Sequence, residues 1–285
     1  MYEGGVYRVN ELIEKIEDLG GYILQSTKLQ NKLILTIAIP EEDEHIIKKI
    51  AEERRGELRE GALIGTEILL VSPSISEHHL PHPTCDIAEY LRRNGAFTSI
   101  LSLGRGVGRR ISQISAVEKR IIGEYDASVF ILGNFEDCIK QKTKLFEDSS
   151  VPVIVTGGPE SCDLECQYVG KIGRRVTRMR KVEDQKKLDM IVKSLVKCIE
   201  ERRREIAEDP LSIDPIELKQ QLESSDIKPA ILRLDGLRIK LPYDECAERI
   251  MEMSISQNNL CHFAKVCKSF AGNVLIKILP ESAIS

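Results

Sequence analysis

The sequence predicts an α/β protein. It reads as a small N-terminal α+β sandwich, a doubly wound and mostly parallel sheet, and a helical and hairpin C-terminal region. Three observations carry that prediction. Short continuous apolar runs near 66–71, 128–132 and 151–155 alternate with helical patterns, the signature of parallel strands buried on both faces. Upstream, two adjacent strand patterns are flanked by amphipathic helices. Downstream of Gly173 the periodicity turns helical and is followed by an Asp-Gly hairpin signal. The implied domains are 1–73, 74–175 and 176–285.

Taken in order, Leu12, Ile13, Ile16 and Leu19 recur at helical spacing and stop at Gly20-Gly21. Strands follow at 22–27 and 32–39. Pro40 opens a second helix with Glu41, Glu42 and Asp43 in its first turn, where acids suit the helix dipole. That helix runs to Arg55, and a strand over 66–71 is expected to close this first unit.

The second unit reads as a helix over 86–93, a strand over 98–103, and a helix opened by Ser115 with Glu118 as a capping box. A strand over 128–132, a helix over 135–146 and a strand over 151–155 complete it. Right-handed crossovers make such a sheet doubly wound. In the third region Leu188, Ile191, Val192, Leu195, Val196 and Ile199 mark one face of a long helix that Pro210 ends. A helix over 215–222, a hairpin over 230–241 around Asp235-Gly236, a helix over 244–253 and a strand over 273–279 follow.

The composition restricts function. Among 285 residues, 42% are hydrophobic and 30% charged, and the net charge of −4 argues against non-specific nucleic-acid binding. The basic run Arg202-Arg203-Arg204 lies on a glutamate-rich helix and reads as a solvated face. No apolar run of about 18 residues could span a membrane. Met1–Gly5 lacks the basic start and apolar stretch of a signal peptide, so a reducing cytoplasm is the expected location. There, eight cysteines point to buried thiols and metal ligands rather than disulfides.

Ligands in open parallel sheets bind beyond the carboxyl ends of the strands. Three of the four predicted strand exits carry cysteine: Cys85 after His78, His79 and His82; Cys138 in Gly133–Cys138; and Cys162 with Cys166 after Gly157-Gly158-Pro159. Thiolates are soft ligands for an iron–sulfur cluster or for zinc, and these four suffice for a closed site. The alternative is that each is a small buried hydrophobe. The three histidines are either further ligands or residues of an exposed capping loop. Cys198 and Cys246 read as packing residues, and Cys261 and Cys267 flank His262 as a weaker second cluster.

The fourth exit is cationic. Gly104, Arg105, Gly106, Gly108 and Arg109 suit anion binding by backbone N–H groups, or charge balance beside a cluster. The Gly-Lys-Ser/Thr ending of a P-loop is missing. No nucleophile elbow, metalloprotease helix or distinctive carboxylate pair stands out, so an accessory rather than catalytic role is expected. Two alternatives stay open: a metal-free module that binds a phosphate ligand through Gly104–Arg110, and a thiol-dependent enzyme using Cys85 or Cys138.

Several long strings carry a resemblance to a known family: YEGGVYR at 2–8, EDLGGYILQ at 17–25, GTEILLVSPS at 65–74 and HHLPHPTCDIAEYLRRNGA at 78–96. GRGVGRR at 104–110, ILGNFEDCIK at 131–140 and VPVIVTGGPE at 151–160 complete the set. With these the chain resembles the methanogenesis marker protein seven family. The resemblance implies a protein of methane-metabolising archaea that belongs to the ATP-dependent assembly activating methyl-coenzyme M reductase. It also implies partners among the other marker and accessory proteins, the reductase itself and a separate ATPase. It makes Cys85, Cys138, Cys162 and Cys166 the presumptive ligands of an iron–sulfur cluster, with zinc as the alternative metal. Cluster potentials reach about −700 mV, low enough to suit reduction of a nickel tetrapyrrole to Ni(I).

Overall fold

Four strands pair antiparallel within the first 64 residues: Tyr2–Gly5 (β1), Tyr22–Leu29 (β2), Lys32–Ala38 (β3) and Glu57–Leu58 (β4), in the order β2-β3-β1-β4. The computed structural model describes residues 1–7, 9–29, 31–72, 83–103, 113–172, 182–255 and 257–284. Helices Val9–Asp18 (α1) and Glu44–Glu53 (α2) connect these strands. Leu12 and Ile16 of α1 and Ile47 and Ala51 of α2 share one apolar cluster with Tyr2, Leu33, Leu35 and Ile37. The i, i+4 spacing of Leu12 and Ile16, and of Ile47 and Ala51, puts each pair on one helix face. Gly20, at φ +73°, ends α1 in the left-handed conformation that favours glycine. Residues Met1–Ile64 form one compact unit, and Gly65–Ser285 form the other.

In the second unit Glu67–Ser72 (β5), Phe97–Ser102 (β6), Ala127–Ile131 (β7), Val153–Thr156 (β8) and Gln167–Val169 (β9) make an all-parallel sheet. Its order is β6-β5-β7-β8-β9. Numbered within the sheet this is 2-1-3-4-5, the flavodoxin-like doubly wound order. The strand near 66–71 therefore does not close the N-terminal sandwich. It pairs parallel with β6 and β7, every residue of it is buried, and only a sheet covered on both faces accommodates so apolar a strand. The edge strand β6 is half-exposed, with Ile100 open to solvent.

Helices Pro83–Arg93 (α3), Ala116–Ile122 (α4) and Glu136–Lys140 (α5) follow β5, β6 and β7. The capping box holds: the Glu118 N–H donates to Ser115 Oγ at 3.2 Å, and the Ser115 N–H donates to the Glu118 carboxylate at 2.6 Å. Ile122 of α4 and Ile139 of α5 pack with Leu69, Val71, Phe130 and Val155. Strand alternation turns Ile68 and Leu70 to the opposite face. There α3 meets the long helix Val182–Glu208 (α6), with Tyr90 donating to Asp189. The helix expected over 135–146 is shorter than its pattern. It stops at Lys140 and resumes as a 3₁₀ turn over Thr143–Leu145, because Phe146 turns inward to meet Phe130 at 5.4 Å between ring centroids.

Beyond α6 come Pro215–Ser224 (α7), Ala230–Arg233 (β10), Gly236–Pro242 (β11) and Tyr243–Met251 (α8). Ser254–Ile255 (β12), Asn258–Asn259 (β13), Ala264–Lys268 (β14) and Asn273–Ile278 (β15) follow. The expected hairpin is present, its tight connection shifted one residue to Leu234-Asp235. It belongs to a four-stranded antiparallel sheet, β10-β11-β15-β14, within the same unit as the parallel sheet. Asp214 caps α7 through the Ile216 N–H at 2.6 Å, with Pro215 in its first turn. No described helix is long and apolar enough to cross a membrane.

Candidate functional site at the carboxyl edge of the parallel sheet

The exits of β7 and β8 are joined before they diverge. Leu132 N–H donates to Thr156 O at 2.8 Å, which extends the pairing by a residue, and Gly158 N–H donates to Gly133 O at 3.0 Å. From there β7 feeds α5, pinned to the core by the fully buried Ile139. β8 feeds a loop that doubles back into β9. The Lys171 N–H donates to Pro159 O at 3.0 Å, the Ile172 N–H to Gly157 O at 2.8 Å, and Tyr168 Oη to Pro159 O at 2.9 Å. Lys171 also pairs with Glu160. Gly170 passes so close to this loop that a Cβ there would lie 2.1 Å from Glu160 O, so only glycine closes it.

Cys162 and Cys166 are held in this loop, both half-buried, and pack with Leu164 and Tyr168 against the core cluster containing Ile139 and Leu145. Facing them, Glu136 and Lys140 of α5 pair across one helical turn at 2.8 Å. Burial pushes the Cys162 thiol up, with Glu136 and Asp163 adding to the effect and Lys140 opposing it. Burial likewise pushes Cys166 up to about 11, with Cys162 and Glu165 adding. Tyr168 rises to about 12, first through burial and then through Cys162 and Glu136. The two thiols, the Glu136–Lys140 pair and the Tyr168 phenol thus share one electrostatic neighbourhood.

The other sequence-predicted ligands stand near the same edge without joining that group. Cys138 is half-buried on α5, two residues from both Glu136 and Lys140, and hence toward a different helix face. Cys85 is exposed in the first turn of α3, the helix that follows β5. Among the described residues, no three His, Cys, Asp or Glu side chains form a group that could hold a metal ion. What the loop brings together is two thiols, Cys162 and Cys166, soft sulfur donors of the kind that can bind iron–sulfur clusters or zinc. Its protonated thiols would have to release protons on loading. His78, His79, His82 and the Gly104–Arg110 loop, with Gly104, Arg105, Gly106, Gly108 and Arg109, lie outside the described residues. Cys261 falls in a 3₁₀ turn with His262, and Cys267 on β14, both thiols exposed.

Sequence reasoning missed a second cluster of chemistry, at the amino edge of the same sheet. Arg238 of β11 donates from Nε to both carboxylate oxygens of Glu67, and from Nη1 to Glu124 at 3.1 Å. Its guanidinium also lies 4.8 Å from the centroid of the Tyr125 ring. Glu124 accepts the Phe270 N–H at 2.7 Å, and Asp126 accepts the N–H groups of Glu67 and Leu234 at 2.7 and 3.2 Å. Burial pushes Asp126 up to about 6, against the opposing pull of Arg233. The available signals were an acid opening an apolar strand, Glu67, and two arginines bracketing the Asp235-Gly236 turn.

This architecture defines a class: a doubly wound α/β protein with a cysteine-bearing loop clamped at the carboxyl edge of its sheet and an antiparallel sheet ionically tied to its amino edge. The chain belongs to the methyl-coenzyme M reductase operon protein C family, whose profile matches residues 1–253. It is also similar to the uncharacterized protein MJ0094 of Methanocaldococcus jannaschii, 44% identical over 292 residues that cover 99% of this chain and 94% of that one.

Proposed function

We propose that the chain is a non-catalytic accessory subunit of methyl-coenzyme M reductase activation that holds an iron–sulfur cluster at the carboxyl edge of its parallel sheet. The observation that carries this reading is the clamped 157–172 loop, which presents Cys162 and Cys166 together beside α5. Membership of a family described by the reductase operon supports the association with that enzyme. Cys162 and Cys166 hold one side of the cluster. The remaining ligands come from Cys138 and Cys85 or from a neighbouring chain.

When bound, such a cluster supplies one-electron chemistry at low potential. The chain's own residues do the rest. Tyr168 and the loop hydrogen bonds fix the two sulfurs, and Lys140 offsets part of the negative charge that two thiolates and Glu136 bring together. The sequence carries no P-loop ending, so ATP hydrolysis belongs to a partner of the activation assembly. The finer resemblance to marker protein seven is consistent with this placement.

Replacing Cys162 and Cys166 with alanine tests the reading. The paired variant, purified without oxygen from a methanogen expressing it, loses most of its iron while keeping its circular dichroism spectrum. Iron content equal to that of the unaltered chain would remove these residues from the site.

A further inference from the structure

The parallel sheet has one long open edge. Among the described residues β6 pairs with β5 alone. The strand at the other end of the sheet, β9, is three residues long, and so short an edge templates little pairing. β6 runs for six residues, Phe97-Thr98-Ser99-Ile100-Leu101-Ser102, without a charge, a proline or a bulge. Those are the devices that ordinarily blunt an exposed edge. The contrast within the chain is direct: β14, an edge of the antiparallel sheet, carries the exposed Lys265 and Lys268.

Backbone alternation shows which groups are open. The Phe97 N–H donates to Thr66 O at 2.9 Å and the Leu103 N–H to Ser72 O at 3.1 Å, so the odd-numbered residues of β6 turn toward β5. Thr98 and Ile100 turn their N–H and C=O groups the other way, and neither finds a backbone partner there among the described residues. The Ile100 side chain, in the middle of this rim, is 45% exposed.

We propose that β6 is the seam of a homodimer, pairing antiparallel with β6 of a second copy about a twofold axis through Ser99. A twofold interface must be self-complementary, and this edge meets that demand in three respects. With the axis at Ser99, Thr98 stands opposite Ile100 of the second copy and exchanges both backbone hydrogen bonds with it, so the two open residues satisfy each other. On one face Phe97 lies opposite Leu101 of the second copy, and both are half-buried apolar side chains in the monomer. Finally, α3 packs on β6 and holds Asp86 in its first turn and Arg92 and Arg93 in its last. Antiparallel pairing sets the last turn of one α3 beside the first turn of the other, which brings opposite charges and opposite dipole ends together. Strand pairing alone buries little area, so this helix contact brings the interface toward the size of a stable dimer. An unrelated strand could take the same backbone bonds, but it has no built-in match to Phe97, Leu101 and the polarity of α3. The inference rests on the sheet edge and does not depend on the cysteines.

The test is analytical ultracentrifugation of the full chain over a concentration series, with amide hydrogen exchange read at β6. The expected mass is twice the 32.1 kDa of the chain, and protection of the Thr98 and Ile100 amides should rise with the dimer fraction. Ile100→Lys places a charge in the seam, and Ile100→Pro removes an outward N–H while sparing those directed at β5. Each should return the chain to 32.1 kDa with its circular dichroism spectrum unchanged. Because proline can disturb β6 itself, the lysine variant decides the matter alone. Three results would overturn the proposal: a monomer at every concentration, a dimer that persists in Ile100→Lys, or protection of these amides only in a complex with a different protein.

Discussion

Arg238 Nε lies 2.8 and 3.0 Å from the two carboxylate oxygens of Glu67, and both side chains are almost wholly removed from water. Glu67 opens β5, an inner strand of the parallel sheet, and Arg238 lies on β11, so this pair fastens the C-terminal sheet to the amino edge of the first. Two charges taken out of water are stable only while each satisfies the other.

Removing one partner should therefore cost far more than a surface ion pair is worth. Arg238→Met is expected to destabilise the chain by about 3–5 kcal/mol, because it strands the buried Glu67 carboxylate. Adding Glu67→Gln should restore much of that loss. Denaturant midpoints of the single and double variants check this, and a single variant within about 1 kcal/mol of the parent would contradict it.

Asp126 gives a pH dependence of definite sign. Its carboxyl is pushed from 3.8 up to about 6 by burial, so between those values the folded chain holds a proton that the unfolded chain has released. Its contribution to stability is complete below pH 4 and is lost as the pH rises through 6. The difference amounts to about 3 kcal/mol. Relative to Asp126→Asn, which cannot titrate, the parent should lose that much stability between pH 4 and 7. A flat difference across the window would show an ordinary carboxylate.

The cysteine loop makes a prediction about reactivity. With its thiol pushed from 9.0 up to about 11, Cys166 of the metal-free chain carries about a hundredfold less thiolate than an ordinary cysteine at pH 8. Iodoacetamide should label it slowly, well behind the exposed Cys85. Peptide mass spectrometry over a time course reads both rates, and equal labelling of the two would contradict the burial described for Cys166.

The parallel sheet was legible because its signals are local. The apolar runs Ile68–Val71, Ser128–Leu132 and Val151–Val155 declare buried strands, and Ser115 with Glu118 declares a helix start that the hydrogen bonds then show. Strand exits bearing cysteine could be read from the same pattern, but which thiols converge could not. Cys138 and Cys162 belong to adjacent exits, and the facing of α5 is set by Ile139 rather than by the cysteine spacing. The amino edge was illegible for a sharper reason. Glu67 and Arg238 are 171 residues apart, and each in its own window reads as an ordinary polar flank of a strand. Pairings of this kind leave no periodic trace, since they depend on how distant elements stack.

The central claim is that the carboxyl-edge cysteines hold an iron–sulfur centre. Its most direct test is iron, zinc and acid-labile sulfide analysis, with an ultraviolet–visible spectrum, on the tagged chain purified without oxygen from a methanogen together with whatever binds it. Iron and sulfide in comparable amounts, with broad absorbance in the visible blue, are the predicted result. Zinc alone, or no metal in the chain and its bound partners, would contradict it.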